Sequence, residues 1–158
     1  MKPLLFTSPS YGRLTIKQTV KEICNYIKNG PNSRYTLVIG TDSHPAKITD
    51  FVTAVIIHRQ GHGGRYFWRK IKKNKMPTLR QRLYEETLLS IEIAQSLIAE
   101  LDPKFLSRYN LEIHIDVGEK GASREMLKEV VGLVRGNGFV AKTKPDAYGA
   151  STVADKYT

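Results

Sequence analysis

The chain has 158 residues, one cysteine, and 25 lysines and arginines against 15 acidic residues, for a formal charge of +10 and a pI near 9.7. That length suits a single domain over 1–158 that needs no cross-links; the lone Cys24 excludes an intrachain disulfide or a multi-cysteine zinc site and reads as core packing. No apolar run reaches the roughly 18 residues that span a bilayer and MKPLLFTSPSYG is too short and polar for a signal peptide, so a cytoplasmic protein with no membrane partner is expected, its positive excess favouring nucleic acid.

After a loose start, Thr15 is placed to cap a helix in which Ile16, Val20, Ile23, Cys24 and Ile27 recur at helical spacing until Asn29, Gly30 and Pro31 end it. Tyr35 to Ile39 is short, apolar and β-branched and predicts a buried strand, with Asp42 just past its end. Phe51 to His58 and Arg65 to Lys73 flank a glycine-rich turn and predict a hairpin. Thr78 and Gln81 have capping-box spacing at the head of a long helix whose buried face runs through Leu79, Leu83, Ile93, Ala94, Leu97 and Leu101, with Pro103 closing it. Leu111 to Val117 predicts a fourth strand, Ser123 a cap for a helix to about Arg135, and Phe139 to Thr143 a fifth strand; the tail from Gly149 predicts a short helix. The order, a helix and then β-β-β-α-β-α-β-α, implies a mixed α/β sheet of five strands flanked by helices, with 15–29 as an accessory N-terminal helix and 35–158 as the core.

Asp42 and Asp116 each close an apolar run that reads as a buried strand, so both emerge at a sheet edge. An acidic pair there is costly unless a cation shares it, although a strand-end aspartate also serves simply to cap a turn. On the long helix, at about 100° per residue, Glu86 lies roughly 60° from the centre of the apolar face while Glu85 and Glu92 point away. Glu86 is therefore the helix carboxylate placed to meet that edge, or else a rim residue of the apolar face.

Residues 65–82 hold eight basic side chains. Alternation in the third strand sets Tyr66, Trp68, Lys70 and Lys72 on one face, a pattern that follows phosphates and stacks bases, or that protects an edge strand from aggregation. Lys73, Ser43, His44 and Lys144 are further candidates for phosphate contact, each also explicable as ordinary surface. His58 and His62 belong to the hairpin turn and lack the spacing of a metal pair. GEKGAS lacks the spacing of a P-loop, which disfavours a nucleotide-binding ATPase.

The strand order and VIGTDSH resemble the opening of the ribonuclease-H-like fold, a hydrophobic strand followed by TDGS. IGTDSH, the IDVG strand and the terminal KPDAYGASTVADKYT resemble, more narrowly, the bacterial YkuK-type family of ribonuclease-H-like proteins. The resemblance implies that the first and fourth strands lie side by side, bringing Asp42 and Asp116 together, and that a helix glutamate joins them. It also implies a fourth carboxylate from a helix after the last strand, which favours Asp155; Asp146, directly after that strand, is the competitor. The chain stops three residues past Asp155, so the long terminal helix common in the superfamily is expected to be missing or reduced.

Hard oxygen ligands of this kind suit Mg²⁺ or Mn²⁺, and a pair of such ions activates water and stabilises the departing oxygen in phosphodiester cleavage. Asp42 would bridge the two ions, Glu86 and Asp116 would complete one side, and Asp155 or Asp146 would hold the second. The expected activity is a divalent-metal-dependent nuclease acting on RNA, RNA/DNA hybrid or structured DNA. The alternative is a catalytically silent nucleic-acid-binding or adaptor domain that keeps the fold.

Overall fold

Long apolar strands, capped helices and tight glycine turns assemble the chain around one mixed sheet, described here for residues 4–44, 46–118 and 123–158 of a computed structural model. In chain order the elements are β1 (Leu5–Ser8), β2 (Gly12–Thr15), α1 (Ile16–Lys28), β3 (Tyr35–His44), β4 (Ile48–Arg59), β5 (Gly63–Asn74) and α2 (Leu79–Glu100). There follow α3 (Pro103–Arg108), β6 (Asn110–His114), α4 (Arg124–Gly136) and β7 (Val140–Lys142), then a π-helical segment at Gly149–Ala154 and a 3₁₀ turn at Asp155–Tyr157. Most of the GEKGAS loop lies outside the described residues.

The sheet has seven strands in the order β2-β1-β5-β4-β3-β6-β7. The expected mixed α/β class holds, but two strands come from the segment read as a loose start. LFTS and GRLT are too short to show a period of their own; they pair with each other as a hairpin, and Thr7 bridges to Trp68 of β5. Strands β3, β4 and β5 are longer than their apolar stretches because antiparallel pairing continues through polar residues as far as His44↔Asp50 and Ile48↔Asn74. Asp42 thus lies inside β3, not past it. Pro103 does not merely end α2: with Asp102 accepting from the Lys104 N–H as N-cap, it opens the short α3.

Strand alternation divides the sheet into two faces. Leu37 and Ile39 of β3, Val55 and Ile57 of β4, Phe67 of β5 and Ile113 of β6 join the large core formed with α1, α2 and α4, including Ile23, Leu83, Leu97 and Val130. The capping boxes expected at Thr15 and Thr78 start α1 and α2. The opposite face carries a smaller cluster, Val38, Val52, Ala54 and Ile56, which the C-terminal segment covers with Ala154.

That segment docks because two glycines let backbone meet backbone. A Cβ on Gly40 would stand 2.5 Å from the Ala150 nitrogen, and one on Gly149 would stand 2.7 Å from Val38 Cγ1. The Gly149 N–H donates to His114 Nδ1 at 3.1 Å, tying the segment to β6. Further along, the Tyr157 ring stacks on Trp68 with centroids 4.3 Å apart and planes 12° from parallel. Gly40→Ala should therefore cost about 1–3 kcal/mol of stability in urea titration by forcing the tail off the sheet, with hydrogen exchange in residues 149–158 accelerating first. A change under about 0.5 kcal/mol would show that the close approach does not hold the tail.

Candidate functional site

The site is built from matched spacings. In the parallel pair β3–β6, Gly40 sits opposite His114. Asp42 stands two residues further along β3, and Asp116 two residues past His114, just beyond the end of β6 in a turn where the Val117 N–H donates to the Ile115 carbonyl at 2.8 Å; the Asp116 charge reaches both Asp42 and Glu86. The Lys142 carbonyl accepts from the Ile115 N–H at 2.8 Å, holding the chain beside β7 as it approaches Asp116.

Helix α2 crosses the other face on two hydrogen-bonded rungs. The Thr41 hydroxyl lies 2.7 Å from the Ser90 hydroxyl and 2.8 Å from that of Thr53, all three buried. One rung on, the Ser43 hydroxyl donates to Glu86 Oε2 at 2.6 Å. Two strand residues advance about 6.7 Å and four helix residues about 6 Å, so the pairs 41–90 and 43–86 are in step. Glu86 is held at the strand exit, whereas Glu85 turns to an ion pair with Lys73.

The fourth carboxylate near Asp42 is Asp155, whose side chain and charge both act to raise the Asp42 pKa. Asp146 is exposed and acts electrostatically on His114. Burial, the Asp155 hydrogen bond and the charges of Glu86, Asp116 and Asp155 together push Asp42 up to about 8. Burial and the Asp116 charge push Glu86 up to about 7, against the opposing effects of the Ser43 hydrogen bond and Arg82. The high affinity of Asp42 for a proton is the expected result of crowding negative charge in a dehydrated place.

Asp116 has a different compensation. Lys144 Nζ lies 3.2 Å from its Oδ1, yet that buried oxygen makes no hydrogen bond, so the pair is electrostatic without donor alignment. Among the described residues, no group of three or more acidic, histidine or cysteine side chains is arranged to ligate one metal ion. Asp42 and Glu86 approach from opposite faces of the sheet, which is why they influence each other's surroundings without converging on a point.

The residues read as nucleic-acid contacts divide by what already occupies them. Ser43 is bonded to Glu86, Lys73 to Glu85, Lys144 faces Asp116, and Lys72 stands 3.8 Å from Asp50. One face of Trp68 is taken by Tyr157. His44 and Lys70 are exposed. Through the register Asp42↔Val52↔Lys70, Lys70 shares the face and level of Asp42 two strands away, about 10 Å in strand spacings.

His114 went unread in the sequence. It is buried, accepts from Gly149 through Nδ1, and lies 3.0 Å from Glu112 Oε1 through Nε2. Nδ1 must be bare to accept, so the neutral ring carries its hydrogen on Nε2 and donates to Glu112. Burial lowers its pKa, in keeping with that form. The signal was available in IHID: His114 and Asp116 are two apart on one strand face.

The description "Ribonuclease H-like" matches residues 18–158. The chain is also 30% identical over 169 aligned residues to the "Uncharacterized protein YkuK" of Bacillus subtilis (strain 168), an alignment covering 98% of this chain and 96% of that one. No solved structure matches it significantly. With a central aspartate-bearing strand flanked by one antiparallel and one parallel neighbour, and a match across most of its length, this chain belongs to the ribonuclease-H-like family and within it to the YkuK type.

Proposed function

We propose that the protein is a Mg²⁺- or Mn²⁺-dependent nuclease of the cytoplasm, hydrolysing phosphodiester bonds of RNA, RNA/DNA hybrid or structured DNA. Family membership supports a nucleic-acid-related function in general. The more specific activity is supported above all by the electrostatics of Asp42, whose raised pKa marks a cluster of four carboxyls short of positive charge. The donor set is hard oxygen throughout, and Asp116 Oδ1 is buried without a hydrogen bond, which fits a divalent cation.

In this scheme Asp42, Asp116 and Asp155 would hold the metal from one side and Glu86 from the other, although no three of the described acidic, histidine or cysteine side chains surround a single point in this structure, with Asp146 outside the group. When bound, a pair of such ions supplies an activated water and charge stabilisation for the leaving oxygen. The protein's own groups prepare for that. Ser43 fixes the orientation of the Glu86 carboxylate by donating to it, and the Thr41–Ser90 rung sets the height of α2. His114 anchors the tail that carries Asp155. Lys144 neutralises Asp116 and would be available to a substrate phosphate, as would the exposed His44 and Lys70.

A second function is favoured by the same details. Lys144 on Asp116 and the high proton affinity of Asp42 make the cluster self-neutralising, as in a catalytically silent nucleic-acid-binding domain. Calorimetric titration with Mn²⁺ distinguishes them. For the nuclease, uptake at pH 7 should release about one proton, read from buffers of different ionisation enthalpy; Asp42→Asn should abolish uptake and lower cleavage of labelled RNA, hybrid and branched DNA by about a hundredfold or more while staying folded. Metal uptake and cleavage unchanged in the variant would refute the assignment.

The pH dependence has a definite sign. A carboxyl whose folded pKa is raised from 3.8 to about 8 contributes stability fully below the lower value and loses it as pH climbs through the upper one. Asp42→Asn keeps the neutral shape at every pH. Without metal, the variant should therefore become more stable than the wild type by about 1–3 kcal/mol between pH 5 and 9 in urea titration, with added Mn²⁺ closing the gap by stabilising only the wild type. A constant difference across that range would mean that Asp42 is not under charge stress.

A further inference from the structure

Beyond the single Thr7↔Trp68 bridge, no residue of β1 pairs with β5. The two strands instead enclose an open groove of about 670 Å³, with Leu5 and Thr7 on one wall, Lys70 and Lys72 on the other, and Arg13 and Arg69 also lining it. Among the described residues, Arg13, Arg69 and Lys70 have no carboxylate at ion-pair distance, whereas the neighbouring Lys72 and Lys73 do. Through the register Arg13↔Thr7↔Trp68, Arg13 shares the sheet face of Lys70, while Arg69 projects to the other face of the same open edge; cations left unpaired along one edge are favoured where an anion shares them. The groove also has a direction: Lys70 is in register with Val52 and hence with Asp42, on the same sheet face.

We infer that this groove between the N-terminal hairpin and β5 carries the sugar-phosphate backbone of a nucleic-acid strand, with Arg13, Arg69 and Lys70 as its phosphate contacts. The inference deepens the proposed function in taking nucleic acid as the partner, but it does not require cleavage. Phosphates spaced along a strand suit cations spaced along a groove, and the contacts read no base. Trp68, with one ring face against Tyr157, forms the groove floor where β1 and β5 meet and so sets where the track begins. The same open edge is a less suitable seat for a second copy of the chain, since two edges carrying these cations would repel at a net charge of +10 each.

The test is fluorescence anisotropy in EDTA, which removes metal and cleavage, with fluorescein-labelled 20-nucleotide single-stranded RNA, single-stranded DNA and hybrid duplex, from 50 to 200 mM salt. The triple variant Arg13→Gln, Arg69→Gln, Lys70→Gln is compared with a control of equal charge change on α3 and α4, Lys104→Gln, Arg108→Gln, Lys128→Gln. The groove variant should bind about tenfold or more weakly than the control at 50 mM salt, and the slope of log K against log salt should fall by about 2–3, one phosphate contact per lost cation. Equal losses in the two triple variants, an unchanged salt slope, or no binding by the wild type would each overturn the groove assignment. So would a concentration-dependent dimer in sedimentation that the groove triple alone abolishes, since a second copy would then fill the edge. A selective loss in the groove triple alongside a wild type that takes up no Mn²⁺ would retain the groove and reject the nuclease, so the two failures are distinct.

Discussion

The parallel pairing of β3 with β6 is the constraint on which the site depends. Once Gly40 lies opposite His114, the period of two in an extended chain sets Asp42 on the Gly40 face of β3, and the turn at Asp116 just past β6 brings the second acid close enough for its charge to act on the first. A slip of one residue would turn one of the two toward the helices α1, α2 and α4, where Ile39 and Ile113 now sit fully buried. The hydrophobic demand of that core therefore enforces the register, and the register places the acids.

Negative charge in a dehydrated place is unfavourable, and the fold manages it in three ways. Asp42 gains affinity for a proton, Asp116 takes the Lys144 ammonium, and Glu86 accepts from Ser43. These compensations have different strengths. A hydrogen bond to a charged acceptor contributes about 1.5–3 kcal/mol, while an ion pair with an exposed lysine contributes about 1 kcal/mol or less. Lys144 is thus the most readily exchanged of the three, and Asp116 the carboxylate with least to lose on meeting another cation. Function and stability oppose each other here, as expected for groups selected for what they bind.

The C-terminal segment is attached by contacts of a different kind from those of the main core. Its apolar cluster is small, and its position relies on backbone-to-backbone proximity at Gly40 and Gly149, the His114 bond, and the Tyr157–Trp68 stack. Asp155 reaches Asp42 by virtue of all three. The aromatic pair links the tail to β5, and so couples the acidic cluster to the wall of the basic groove through one short stretch of chain.

Much of this was legible in the residues. Capping boxes at Thr15 and Thr78 and the apolar runs of β3 and β4 are local signals, decided by propensity, hydrogen bonding of free N–H groups and periodicity, and they appear in the structure where the pattern puts them; the fourth strand, expected over Leu111 to Val117, instead ends at His114 because the chain turns at Asp116. Glu86 could be separated from Glu85 by helical angle alone, because rotation about a helix axis is a local quantity. The N-terminal hairpin could not be read, since four-residue strands have no period to detect and owe their pairing to β5. Nor could the roles of His114, Lys144 and Trp68, which depend on Gly149, Asp116 and Tyr157, partners far away in the chain. What the sequence determined is which side chains share a face of their own element; only tertiary structure decided which faces meet, because that choice is made by burying distant apolar surfaces together, and the charges must then accept the neighbours this leaves them.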